Sequence, residues 1–222
     1  MPNFYLETSR YCGVLVIWRW EGSNFTFREI VNDLSNYIHT QISEGNPVIL
    51  LSYEFGKSQN ILKILRISNR ILLNANIAKL TRILEENGIE FPEWEPYGKY
   101  NKNQLKKLND YILLTPPYSI FKEPYKSLIA TGAKVVSLSG KVLEDIYRKE
   151  IKADYYIPLS DHCDFNTLCN FVKKCNPNNI YLEHGKICEF SYFLLKTEKF
   201  TNLKSLEKNF IMDLKSNNLL II

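Results

Sequence analysis

Short apolar runs alternate with stretches of helical periodicity along most of this chain, and that cadence constrains the fold more than any other feature. Val48-Ile-Leu-Leu-Ser52, after Pro47, is a short, continuously apolar run, as a strand buried on both faces should be, and further strands are expected at 70–73, 111–115 and 133–138. Between them, residues 27–43 place Ile30, Val31, Leu34, Tyr37, Ile38 and Ile42 on one helical face, with Gly45 as a stop. Further helices are expected around Ile61–Leu65, over 76–87 ending at Gly88, near 124–131 and near 165–175. Additional strands are expected at 154–158 and 179–183. Strand, helix and strand in this order predict an α/β fold, a parallel sheet with flanking crossover helices. Residues 89–109 are polar, contain Pro92, Pro96 and Gly98, and read as a long surface connection. The stretch 197–222 is rich in Lys and Asn and ends Leu-Leu-Ile-Ile; it reads as a final helix and strand, or as a tail that docks a partner.

Composition removes several classes. With 222 residues, 45% hydrophobic and 23% charged, the chain matches a globular protein and not a disordered or collagen-like one. No apolar run reaches the roughly 18 residues that span a bilayer, and from the Met-Pro-Asn-Phe start, which is neither basic nor strongly apolar, a secretory signal is not expected. The five cysteines, at 12, 163, 169, 175 and 188, form no C-x-x-C pair and read as reduced core residues of a cytoplasmic protein. Lys and Arg exceed Asp and Glu by 28 to 24, a balance that permits nucleic-acid contact without requiring it.

Four constellations carry candidate chemistry. At Ser160-Asp161-His162 a strand ends where parallel sheets bind ligands, and Asp164 is placed to cap the next helix. His162 between two carboxylates can serve as a proton donor or a metal ligand; the alternative is a polar loop with a cap and a surface histidine. Glu183-His184-Gly185 ends the next strand, and His184 follows His162 by one βα unit in a chain with three histidines. His39 stands beside Ile38 in an amphipathic helix and reads as structural. Ser52-Tyr-Glu-Phe-Gly56-Lys57-Ser58-Gln59 runs from a strand into a helix start, where free N–H groups favour an anion. Its spacing is not that of a P-loop, and an ordinary strand–helix turn is the alternative. Phe4-Tyr-Leu-Glu7 is an apolar strand ending in a carboxylate.

Taken in order, these segments resemble the β-CASP branch of the metallo-β-lactamase fold, whose members cut RNA or DNA. Leu6-Glu7-Thr8-Ser9 is similar to motif A, Asp161-His162-Cys163-Asp164 to motif B and Glu183-His184-Gly185 to motif C. Val48 to Leu62 resembles the strand–helix segment that opens the β-CASP insert. Tyr53-Glu-Phe-Gly-Lys-Ser-Gln59, Ile17-Trp-Arg-Trp20 and Pro116-Pro117 lean towards the ligase-associated DNA exonuclease and mRNA 3′-end processing exonuclease-like subgroup. The resemblance implies a β-CASP-like domain over 21–150 and a partial metallo-β-lactamase-like remnant formed by 1–20 with 151–222. It also implies His162 as general acid, Glu7 as an orienting carboxylate and His184 as a zinc ligand. Ser52, Gly56, Lys57, Ser58 and Gln59 become candidate phosphate contacts, with Ser160, Asp161 and Asp164 as caps or supporting groups.

The H-x-H-x-D-H ligands of that family occur nowhere in the chain. One family ligand, His184, cannot hold a zinc that takes about four donors. The expectation is therefore a truncated or split nuclease-like protein of DNA or RNA processing, zinc-free and inactive alone. Zinc would enter only with a partner supplying H-x-H-x-D-H. The alternative is a non-catalytic nucleic-acid-binding or scaffold subunit, which would use Gly56-Lys57 and the basic residues of 99–107. Expected partners are nucleic acid, a zinc-bearing lactamase-like, helicase- or ligase-associated subunit, and a second copy in a homodimer.

Overall fold

A computed structural model describes residues 11–15, 27–65, 69–160, 165–183, 187–196, 203–205, 210–213 and 218–221. The chain divides into two compact units, one spanning 24–161 and the other combining the residues before and after it.

Strand β1 (Tyr11–Leu15) belongs to the second unit. The first unit opens with α1 (Phe27–Ser43), whose Ile30, Leu34 and Ile38 recur every four residues and are buried. Gly45, at φ +79°, ends it: its N–H donates to the Ile42 carbonyl while that of Asn46 reaches the Gln41 carbonyl, closing the last turn. There follow β2 (Val48–Leu51), α2 (Lys57–Ile64), β3 (Arg70–Leu73), α3 (Ala75–Glu86), the two-residue β4 (Glu95–Pro96) and α4 (Lys102–Lys107). After these come β5 (Tyr111–Thr115), α5 (Tyr125–Ala130), β6 (Lys134–Leu138), α6 (Asp145–Glu150) and β7 (Tyr155–Ile157). All six strands pair in parallel, in the order β4-β3-β5-β2-β6-β7. The chain is thus α/β, with β2 and β5 buried along their whole length at the centre of the sheet.

Right-handed crossovers set the layers. The steps from β2 to β3 and β4 run one way across the sheet and those from β4 to β5, β6 and β7 run the other, so α2 and α3 cover one face and α4, α5 and α6 the opposite one. Ile49, Leu51, Leu72, Leu113 and Val135 share a buried cluster with Leu105, Tyr125, Leu128 and Tyr147 of that second layer. Their alternating neighbours Val48, Leu50, Ile71, Leu73, Ile112, Leu114 and Val136, all buried, face the other way.

Two sequence expectations change here. Residues 89–109 are more ordered than a surface connection: they hold β4 and α4. Asn101 and Gln104 form a reciprocal cap at the start of α4, and Leu105 is 1% exposed. The strand expected at 154–158, grouped from sequence with the segment beginning at 151, pairs instead with β6 through Val136 and Tyr155.

In the second unit, α7 (Phe165–Cys175), β8 (Asn179–Glu183), α8 (Ile187–Lys196) and β9 (Leu203–Ser205) precede a pair of antiparallel strands, β10 (Phe210–Asp213) and β11 (Asn218–Ile221). The parallel sheet β1-β8-β9 is joined by a core of Leu168, Cys169, Val172, Ile180, Leu182, Phe190, Leu194 and Leu203. Phe165 meets Phe193 edge-on at 4.7 Å. Glu7, the Phe4–Glu7 strand, and Asp161, His162, Asp164 and His184 lie outside the described residues.

Candidate functional site

Neighbouring strands β2 and β5 send their carboxyl-end loops to opposite faces of the sheet. Open parallel sheets hold ligands at such a divergence, so the carboxyl rim around β2 is the place in the first unit to look for function. The Ser52 N–H donates to the Thr115 carbonyl at 3.0 Å and carries the β2–β5 ladder one residue past the strand.

The chain then reverses within five residues. Gly56 sits at φ +78° and ψ −73°, and the Lys57 N–H reaches back to the Phe55 carbonyl at 3.0 Å. This is a γ-turn of positive φ, a strained conformation for any residue with a Cβ. Gly56 is also the N-cap of α2, and no side chain caps that helix start. The hydroxyls beneath the turn form a directed relay. Ser58 gives its one proton to the Tyr53 carbonyl at 2.6 Å, so Ser52, 2.6 Å from the Ser58 Oγ, must donate to it. Gln59 donates from Nε2 to the Glu54 carbonyl and to Thr81 Oγ1, both at 3.1 Å, and its Oε1 is buried without a partner among the described residues. Lys57 is 3% exposed, and its ammonium lies 5.4 Å from the centre of the Tyr53 ring.

Ser52, Lys57, Ser58 and Gln59 are therefore gathered at one turn, with their side chains beneath the surface. What the turn presents outward is Tyr53 and Phe55, both exposed. Beside it, Asn74 at the end of β3 donates to Tyr125 OH at 2.7 Å, and its Oδ1 accepts from the Asn76 N–H at the start of α3. Asn76 in turn donates to the Glu54 carboxylate at 2.8 Å. At the end of β6, Ser137 Oγ pairs with Tyr147 OH at 3.1 Å. Burial raises the Tyr147 phenol above its ordinary value; the Ser137 hydrogen bond opposes this, and the nearby Tyr53 and Tyr118 phenols add to the rise. Tyr118 and Phe121, in the loop after β5, are exposed with rings 6.3 Å apart. Tyr53 and Phe55 stand in a segment that carries the resemblance, but none of the four rings is among the candidate contacts expected from sequence. The signal available was two aromatics beside each Gly or Pro turn: Tyr53-Glu-Phe55-Gly and Pro117-Tyr118-Ser-Ile-Phe121.

Ser160 is exposed just past β7, and a Cβ added to Gly140 would lie 3.4 Å from its Cβ, so the two loop residues pack closely. Glu183 is the last residue of β8. Among the described residues, no group of three or more His, Cys, Asp or Glu side chains could hold a metal ion. His39 is exposed on α1. No helix among the described residues is long and apolar enough to cross a membrane.

No protein-family model matches the chain. Among curated proteins, it is similar to the "Probable DNA ligase" of Opitutus terrae (strain DSM 11246 / JCM 15787 / PB90-1), at 31% identity over 169 residues. That alignment covers 75% of this chain and 16% of that protein, so the chain spans a small part of the length of the curated relative it matches.

Proposed function

We propose that this chain is a nucleic-acid-binding module of DNA processing, related to nucleases of the β-CASP kind, whose first unit receives the strand at the carboxyl rim around β2. The observation that carries this reading is the turn at Gly56. A strained γ-turn, anchored from below by the Ser52–Ser58 relay, opens α2 at Gly56 with no side-chain cap, where neighbouring loops diverge. The likeness to a protein named as a probable DNA ligase supports DNA as the polymer. In this reading Gly56 supplies backbone approach to a phosphate, Ser52, Ser58 and Gln59 hold the turn's shape, and Lys57 adds positive charge beneath it.

For strand cleavage, Glu7, His162 and His184 would serve as orienting carboxylate, general acid and zinc ligand. The remaining zinc donors must come from outside these 222 residues, because no H-x-H-x-D-H occurs within them. A zinc-bearing lactamase-like subunit would supply such donors, and a homodimer is the default assembly of the chain alone.

Fluorescence anisotropy with labelled DNA at two salt concentrations tests the reading. Binding that weakens steeply as salt rises is expected, because neutralised phosphates release counterions. Absence of binding to any DNA at low salt overturns it.

A further inference from the structure

Lysines gather on one of the two helical layers. Residues 95–130, which hold β4, α4, β5 and α5, carry Lys99, Lys102, Lys106, Lys107, Lys122 and Lys126 against Glu95, Asp110 and Glu123. Side-chain contacts bring these segments together. Lys102 at the start of α4 lies 3.5 Å from Glu123, just before α5, and the Tyr97 and Tyr125 rings meet at 5.7 Å. Two of the three carboxylates are engaged within the patch, Glu95 by Lys99 and Arg70, and Glu123 by Lys102 and Ser127. Lys106, Lys107, Lys122 and Lys126 stand exposed and form no ion pair among the described residues. The surplus ends with α5. Around α6, Lys141, Arg148, Lys149 and Lys152 are nearly matched by Glu144, Asp145 and Glu150, and Lys134 pairs with Asp154 at 3.8 Å. In the opposite layer, residues 75–93 set Lys79 and Arg82 against four glutamates.

Helix stability does not account for these lysines. Lys102 and Lys126 lie in the first turns of α4 and α5, and neither first turn holds an acid. These are the positive ends of the helix dipoles, where a cation is unfavourable. The strip also has a direction. Helices that connect parallel strands start at the carboxyl edge of the sheet, so Lys122, between β5 and α5, stands at the rim, and Lys126 follows one helical turn on. On α4, Lys106 and Lys107 lie about one turn beyond Lys102. Packed helices lie about 8–10 Å apart, so two rows of ammonium groups run side by side away from the rim. A polymer with one negative charge per repeat can meet successive lysines along such rows, releasing counterions at each. We propose that α4 and α5 form a phosphate track that holds the backbone of duplex DNA as it leaves the carboxyl rim. Contacts of this kind position the duplex and read no base. The inference rests on the nucleic-acid reading above and adds a second surface, which grips DNA irrespective of sequence.

The test measures anisotropy of labelled duplexes of two unrelated sequences over a salt series, with the full chain and two double variants. Lys106→Gln with Lys126→Gln removes one charge from each row of the track. Lys63→Gln with Lys79→Gln removes the same charge from α2 and α3. All four lysines are exposed, so the variants should fold, and circular dichroism checks this. Each phosphate contact contributes about 0.9 to the slope of log affinity against log salt. The track variant should therefore flatten that slope by about 1.8 on both sequences and bind more weakly at about 50 mM salt, while the control variant keeps the wild-type slope. A wild-type slope in the track variant, or equal flattening in both variants, overturns this inference and leaves the broader reading standing. Unchanged DNA binding with lost binding to phosphatidylserine vesicles assigns the lysines to a membrane surface and also overturns it. No binding of the wild type to either duplex overturns both.

Discussion

Ser52 Oγ and Ser58 Oγ lie 2.6 Å apart and tie the end of β2 to the first turn of α2. Both residues are fully buried, and the chain of donors runs from Ser52 through Ser58 to the Tyr53 carbonyl. The exposed Tyr53 and Phe55 thus stand on a turn whose two serine hydroxyls are satisfied from within.

Breaking that relay should be costly. Ser58→Ala leaves the Ser52 hydroxyl without its acceptor and takes a donor from the Tyr53 carbonyl. A loss of roughly 1–3 kcal/mol in urea unfolding is expected, the usual cost of orphaning a buried polar group. An unchanged midpoint would show that the turn does not depend on the relay.

Gly56→Ala should both destabilise the protein and weaken DNA binding. A Cβ at φ +78° is strained, at about 1–3 kcal/mol for such backbone conformations, and relief would come by reshaping the donors at the start of α2. Anisotropy and denaturation on the same variant check the two effects together. Full stability with full affinity would remove Gly56 from the site.

Tyr111 opens β5 fully buried, and its hydroxyl has no hydrogen-bond partner among the described residues. Burial pushes its phenol up to about 12. The unfolded phenol titrates near 10, so the unfolded chain releases its proton first. This contribution to stability is whole below about pH 10 and declines as pH rises towards 12. Tyr111→Phe should remove that alkaline decline, and at pH 7 it should match or exceed the wild type because no hydrogen bond is lost. A clear destabilisation at pH 7 would reveal a partner for the hydroxyl.

The chain purified without added metal should hold no stoichiometric zinc and should not cut DNA. His39 stands exposed on α1, and His184 would be offered with at most one or two unrelated donors, too few for a metal that takes about four. Elemental analysis with a nuclease assay measures both. One zinc per chain that is lost in His184→Ala would contradict the expectation.

How much of this was legible before folding differs from element to element. Helix α1 and strands β2, β3, β5 and β6 could be read because their cues are local: apolar spacing in the helix, compact apolar runs in the strands and Gly45 as a stop. Helix α4 was missed, although Asn101 and Gln104 spell its reciprocal cap, because one apolar residue, Leu105, among lysines hides the face that packs. The candidate turn was legible as Gly56-Lys57 following a strand, but its inward serines and outward rings were not.

Amino-acid order alone therefore determined that this is an α/β chain and where its central strands and longer helices lie, since periodicity and turn chemistry act over a few residues. Tertiary structure decided the strand order β4-β3-β5-β2-β6-β7, because crossovers bring residues far apart in sequence onto neighbouring strands. It also decided the fate of identical side chains. Tyr111, Tyr125 and Tyr147 are buried while Tyr53 and Tyr118 stand exposed, because burial depends on which layer closes over a position, and no local pattern carries that information.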